Sequence, residues 1–196
     1  MNWRDKSKIV IGVAGDLGSF SEQGARGWAA ISFVPDFEIR YLIEIGTVLA
    51  KLQDGDGIDI GVFPYKNNFI GEIGAAHDAM EQHNFRRIGK FPLLVEHCLI
   101  ARKGVPKEMI TKIVSQGPAI DQCDRNLSLY WRHVTIEKYE DTAKAARDLS
   151  NGVLPETTAV IASCRTAELY SHLDILEHRF QSEGDNLTWF AIAERL

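Results

Sequence analysis

A basic surplus is missing from this chain. Its 196 residues carry 22 Lys and Arg against 27 Asp and Glu, a formal net charge of −5. Binding to nucleic acid rests on neutralising phosphates, which calls for the opposite balance or a basic stripe. Arg86 and Arg87 stand together, and an isolated pair reads as solvated surface, so no nucleic-acid partner is expected. Cysteine is scarce too. Cys98, Cys123 and Cys164 are an odd number without close spacing, which argues against a disulfide framework and a zinc site and for reduced thiols in a cytoplasmic protein. Cys98 and Cys123 lie in apolar or motif segments and read as inert buried thiols. The six histidines (His77, His83, His97, His133, His172, His178) show no metal-ligand spacing, so they read as surface or core side chains and no metal is expected. Long hydrophobic runs are absent. The first apolar stretch, IVIGVAG from Ile9 to Gly15, is too short to span a bilayer and no cleavage pattern follows it, so no membrane partner is expected. Neither a dinucleotide glycine fingerprint nor G-K-[ST] occurs.

What is present is a repeated order of strand, hydroxyl or amide, and helix. KIVIGVAG (8–15) reads as a strand, with Ser21 as candidate N-cap of the helix that follows. IDIGVFP (58–64) is a second strand, ending in Lys66, Asn67 and Asn68 before a helix over EIGAAHDAMEQH (72–83). LLVEHCLIAR (93–102) is a third. KIVSQGP (112–118) follows, with Pro118 suited to open a helix over 119–131. HVTIEKY (133–139) leads to Asp141 and Thr142 at the start of TAKAARDLSNG, and TAVIASC (158–164) leads to Ser163 and a helix over RTAELYSHLDIL (165–176). LTWFAIA (187–193) closes the chain as a strand. This alternation predicts an α/β protein with mixed, mostly parallel sheets. In such sheets ligands sit beyond the carboxyl ends of the strands. Five of those ends carry Ser, Thr or Asn where a helix begins. Each residue could be a plain helix cap, but together they suggest a polar cleft that accepts anions. Two interleaved lobes are expected, lobe one over about 1–93 plus the C-terminal segment and lobe two over about 94–180.

These residues also resemble a family. G-D-L-G-S-F-S-E-Q-G-A (15–25) is similar to the prephenate dehydratase opening G-P-E-G-T-F-S-E-E-A-A, and I-G-V-F-P-Y-K-N-N-F-I-G (60–71) to G-V-x-P-I-E-N-S-x-x-G. S-Q-G-P-A-I-D-Q-C (115–123) resembles S-H-P-Q-A-L-x-Q-C. D-T-A-K-A-A (141–146), A-V-I-A-S-C-R-T-A-E-L-Y (159–170) and N-L-T-W-F (186–190) resemble D-T-A-x-A-A, A-A-I-A-S-x-x-A-A-x-x-Y and N-x-T-R-F. Six motifs fall in order over nearly the whole chain. The resemblance implies a two-lobed fold of the type II periplasmic-binding-protein kind and action on prephenate, a small dicarboxylate, without metal or organic cofactor. It implies Thr188 as the catalytic residue and a homo-oligomer, dimer or larger. Ser21, Asn67, Ser115, Thr142 and Ser163 combine strand-end placement with a motif match, and with Phe20, Lys66, Trp189 and Phe190 they make up the expected substrate contacts. Family members often carry a C-terminal regulatory domain that binds phenylalanine; this chain stops at Leu196, so no feedback by that route is expected.

Three departures bear on the chemistry. Trp189 stands where the family has Arg, Lys66 where it has Glu, and S-Q-G-P replaces S-H-P-Q, removing a histidine. An indole cannot grip a carboxylate as a guanidinium does. Lys66 could take over part of that binding, or point to solvent; Trp189 could pack in the core, or reshape the pocket. Retention of Thr188 and Asn67 favours decarboxylating dehydration of prephenate to phenylpyruvate in phenylalanine biosynthesis. Loss of the Arg and the His favours a non-aromatising prephenate decarboxylase of a specialised pathway. A catalytically silent binding module is the third reading.

Overall fold

The computed structural model describes residues 3–182 and 184–196. They fold as two compact units, one formed by residues 3–16, 20–94 and 187–196, the other by 17–19 and 95–186.

The first unit is built on one mixed sheet. β1 (Ile9–Val13) pairs in parallel with β2 (Phe37–Tyr41) and with β3 (Ile60–Asn67). The short β4 (Gly71–Glu72) folds back on β3. β11 (Leu187–Glu194), the final strand, runs antiparallel between β3 and β5 (Arg86–Leu94), giving the order β2-β1-β3-β11-β5. Alternation along these strands divides the apolar side chains between two faces. Ile9, Ile11 and Val13 of β1 and Phe190 and Ile192 of β11 meet Ala25, Trp28 and Ala29 of α1 (Phe20–Ile31). On the other face Phe63, Ala191 and Ala193 pack with Val48, Leu49 and Leu52 of α2 (Ile45–Asp54) and with Ala76 and Ala79 of α3 (Gly74–Gln82). Two glycines let α1 lie close to its face: a Cβ on Gly24 would stand 3.0 Å from Phe190 Cγ, and one on Gly27 would stand 2.3 Å from Phe91 Cζ.

The second unit repeats the plan with a sheet ordered β10-β6-β9-β7-β8, from β6 (His97–Arg102), β7 (Lys112–Ser115), β8 (Thr135–Lys138), β9 (Thr158–Ser163) and β10 (Leu173–Glu177). All six residues of β9 are buried, as befits a central strand covered on both faces. Ala159 and Ile161 face α4 (Gly117–Gln122) and α5 (Asp124–Tyr130), while Val160 and Ala162 face α6 (Thr142–Ser150). α7 (Cys164–Leu169) follows β9. Among the described residues no helix is long and apolar enough to cross a membrane.

Several expectations need correction. The helix expected over 165–176 stops at Leu169, and residues 173–177 form β10, with Leu173 and Ile175 on one face of the sheet and Leu176 on the other. The strand expected over 93–102 is two strands, β5 and β6. The helix expected over 119–131 is broken at Cys123 into α4 and α5. Ser21 is not an N-cap, because α1 begins one residue earlier. Cys98 and Cys164 are not free thiols; they form a disulfide with Cα atoms 5.1 Å apart across 66 residues of sequence. The pairing of β6 with β9 sets His97 opposite Ser163 and Cys98 opposite Ala162, and sequence spacing cannot reveal a proximity made by sheet register. Cys123 does remain a free, buried thiol, and burial pushes its pKa up.

His97 is completely enclosed, and burial lowers its pKa from 6.5 to about 4. Its backbone N–H donates to Gln181 Oε1 at 3.0 Å, and its Nε2 lies 2.8 Å from Gln122 Oε1. The unfolded chain therefore takes up this proton first as pH falls. The stability from the neutral, buried imidazole is complete above about pH 6.5 and is lost toward pH 4, about 3 kcal/mol in all. Urea denaturation of wild type and His97→Gln across this window should give a shallower pH slope for the variant; equal slopes would contradict a buried neutral His97.

Candidate functional site

Seven of the sequence-predicted residues belong to the first unit and three to the second. In the first, β11 carries Thr188, Trp189 and Phe190 between two neighbours. Thr188 stands opposite Asn67 of β3 and Leu93 of β5, Trp189 opposite Lys66 and Pro92, and Phe190 opposite Pro64 and Phe91. A bulge on the β3 side falls between Trp189 and Phe190.

Thr188 is buried, at 6% exposure, and Asn67 is buried beside it at 1%. Asn67 Oδ1 accepts the backbone N–H groups of Phe69 at 2.8 Å and Ile70 at 3.3 Å, closing the turn after β3. That fixes the amide the other way round for its nitrogen. Asn67 Nδ2 donates to Thr188 Oγ1 at 2.9 Å and to Leu187 O at 3.2 Å. A hydroxyl that accepts from an amide nitrogen keeps its own proton for donation to something else. The carbonyl side of Asn67 thus sets the direction in which Thr188 can act.

Side chains alternate along β11, so Thr188 and Phe190 share the α1 face, where Leu93 and Phe91 also lie. Trp189 points to the opposite face with Lys66, whose Nζ sits 5.7 Å from the centre of the indole ring. Lys66 is exposed and Trp189 half-buried. The cation expected to hold a carboxylate near Thr188 is therefore on the other side of the sheet from the Thr188 hydroxyl, in cation–π contact with Trp189. Phe20 opens α1 and packs on the apolar face shared with Phe190, which is itself buried at 1%. Ser21 is buried, and its hydroxyl donates to Ala14 O at 2.5 Å, tying α1 to the end of β1. Sequence reasoning read the next residue, Glu22, as at most a first-turn acid. It is completely buried, and Arg26 one turn on donates to it at 2.7 Å.

In the second unit the three hydroxyls stand at the carboxyl ends of the adjacent parallel strands β9, β7 and β8. Ser115 ends β7 and donates to Ile161 O at 2.7 Å. Ser163 ends β9, caps α7 and accepts from Arg165 N at 3.2 Å. Thr142, at the first position of α6 after β8, is buried, while the cap itself is Asp141, which accepts from Lys144 N at 2.7 Å. A row of strand ends with helix starts is the usual seat of a ligand in a sheet of this kind. Sequence reasoning missed Arg165, whose buried Nε has no hydrogen-bond partner among the described residues. A hollow of about 630 Å³ on this unit, lined among others by Lys107, Trp131, His133 and His178, contains none of the expected contacts.

The family model for prephenate dehydratase matches residues 11–195. The chain belongs to the prephenate dehydratase family. A chloroplastic arogenate dehydratase/prephenate dehydratase from Arabidopsis thaliana is 36% identical over 137 residues, which are 70% of this chain and 33% of that protein. The chain spans about a third to just under half the length of the curated relatives it matches, from 32% to 47%. Among solved structures, a prephenate dehydratase from Arthrobacter aurescens in complex with L-Phe superposes with a TM-score of 0.81 at 22% identity, covering 96% of this chain and 61% of that one. A lipoprotein of Bacillus subtilis assigned to methionine binding superposes with a TM-score of 0.51 at 12% identity, covering 96% and 83%. Likeness at this identity shows the fold alone, the two-lobed α/β plan of periplasmic binding proteins.

Family membership gives the Lys66–Trp189 contact a meaning. The family's motif Glu and motif Arg fall on positions that face each other across β3 and β11. The two departures from the resembling motifs are thus cross-strand neighbours, a cation beside an aromatic ring. Placing an acid–base pair at these positions one residue at a time should expose their coupling. Trp189→Arg alone places two cations opposite each other; combined with Lys66→Glu it should recover about 0.5–1 kcal/mol in chemical denaturation relative to the sum of the single changes. Strict additivity would show that the two positions do not interact.

Proposed function

We propose that this chain eliminates water and carbon dioxide together from a cyclohexadienyl acid, prephenate or its amino counterpart arogenate, and that Thr188 serves the leaving hydroxyl. Breaking the bond to the ring carboxylate releases carbon dioxide and leaves its electron pair to the ring. The pair forms the new double bond as the ring C–O bond breaks, and hydroxide departs with a proton as water. Aromatisation drives the step. The charge that develops on the departing oxygen calls for a directed donor. The observation that carries the reading is the 2.9 Å bond from Asn67 Nδ2 to Thr188 Oγ1, which leaves the threonine proton for donation. Threonine is too weak an acid to protonate the leaving oxygen outright, so its part is a hydrogen bond that strengthens as the C–O bond lengthens.

The departure at Trp189 favours a second outcome, decarboxylation that keeps the ring hydroxyl and yields a non-aromatic product. The two differ in product. Incubation with prephenate should give phenylpyruvate, read by its ultraviolet absorption in alkali, and incubation with arogenate should give phenylalanine. A non-aromatic ring retaining its hydroxyl, seen by NMR, would replace this proposal with the second outcome; binding without turnover would replace it with a silent module. Thr188→Val should lower kcat by about 10²–10³ with KM changed only a few-fold, and Thr188→Ser should restore much of the rate. A loss confined to KM would contradict the role given to Thr188.

A further inference from the structure

The second unit gathers a quartet that the proposed reaction does not use. Cys98 and Cys164 meet Glu96 and His178, and one donor atom from each lies within 4.8 Å of all the others. Sheet register makes the meeting. On one side of β6, antiparallel pairing with β9 puts Ser163 opposite His97, so the chain continuing to Cys164 runs back alongside Glu96. On the other side, β10 pairs with β6 through Glu177 and Leu99, which brings His178 beside Cys98. Glu96 and Cys98 are two apart, so they share a face of the strand, while His97 between them turns toward Gln122. His178 Nδ1 is 3.6 Å from Cys98 Sγ, and Glu96 Oε1 is 3.8 Å from Cys164 Sγ. Cys98 is buried and Cys164 half-buried, whereas Glu96 and His178 are exposed. The two sulfurs thus form the floor, and an imidazole and a carboxylate converge on them from the solvent side.

A disulfide needs neither of those two groups, because its sulfurs are poor acceptors. Two thiolates, an imidazole and a carboxylate at mutual distances of this size are the donor set of a tetrahedral site for a borderline-soft dication. We propose that the Cys98–Cys164 bond is one state of a two-state centre, and that reduction converts Glu96, Cys98, Cys164 and His178 into a site for one divalent ion of the zinc class. The reductant is a thiol or dithiol. It supplies two electrons, breaks the S–S bond and ends as its own disulfide. Each freed thiol then gives a proton to solvent as its sulfur binds the ion. Cys164 and His178 both reach solvent, which leaves their side chains room to turn as the sulfurs separate.

The test uses the full chain, oxidised and reduced, titrated anaerobically with cobalt(II) and then zinc(II). The reduced protein should take up one cobalt ion with a thiolate-to-cobalt charge-transfer band and the intense visible bands of tetrahedral coordination, and zinc should displace it. The oxidised protein should show neither band. Cys164→Ser should abolish the two-thiolate spectrum, His178→Ala should weaken binding by about tenfold or more, and Cys123→Ser should bind as wild type does. Zinc should also shield Cys164 of the reduced native protein from alkylation. Reduced wild type that binds no more cobalt than Cys164→Ser, with both folded by circular dichroism, would overturn the proposal. So would equal binding by the oxidised chain, or Cys164 alkylation that zinc does not slow.

Discussion

The insertion of the last strand between β3 and β5 is the constraint on which the first unit depends. β11 contributes Phe190 and Ile192 to one core and Ala191 and Ala193 to the other, so both faces of the sheet are incomplete without it. Its register does more than fill space. Opposite Asn67, Thr188 receives an amide N–H; opposite Lys66, Trp189 receives a cation. A slip of one residue would exchange the two faces and put the indole where the hydroxyl now stands. Phe190 prevents the slip, because its ring is buried against Gly24 of α1.

Where the resembling motifs have Glu and Arg, Lys66 and Trp189 make a cross-strand contact of different chemistry. Both positions lie on the face away from Thr188, so the hydroxyl and its amide partner are untouched by the difference. Thr188 therefore keeps its amide bond although the residue after it is a tryptophan. What is missing is a planar, bidentate group capable of gripping a carboxylate. The Lys66 ammonium, held over the indole, is not its geometric equivalent.

Much of this fold was legible in the sequence. Runs rich in Val and Ile marked β1, β3, β7 and β9, and Pro118, Asp141 and Ser163 stood where helices start. The motif positions of Thr188 and Asn67 turned out to be bonded neighbours. Errors came where local pattern was ambiguous. Leu173 and Leu176 fit a helical spacing, but Leu173 and Ile175 also fit a strand, and pairing with β6 decided the outcome. Residues 37–54, the half-buried edge strand β2 and α2, were left unassigned although FEIRY alternates and Val48, Leu49 and Leu52 share a helical face. The disulfide and its two polar neighbours were invisible because sheet register, a tertiary property, creates them. The full burial of Glu22 was hidden for the same reason, since a first-turn acid looks alike whether it faces solvent or the core.

The interleaved path of the chain also sets an order of assembly. Residues 95–186 lie between β5 and β11 in sequence, and they contain every strand of the second sheet. On a ribosome the first sheet waits for β11 until residues 187–194 emerge, and until then the facing edges of β3 and β5 stand unpaired. The second unit has all its strands earlier and can close first. The vulnerable interval for misassociation during synthesis therefore belongs to the unit that begins the chain, with its open edges exposed to other nascent copies.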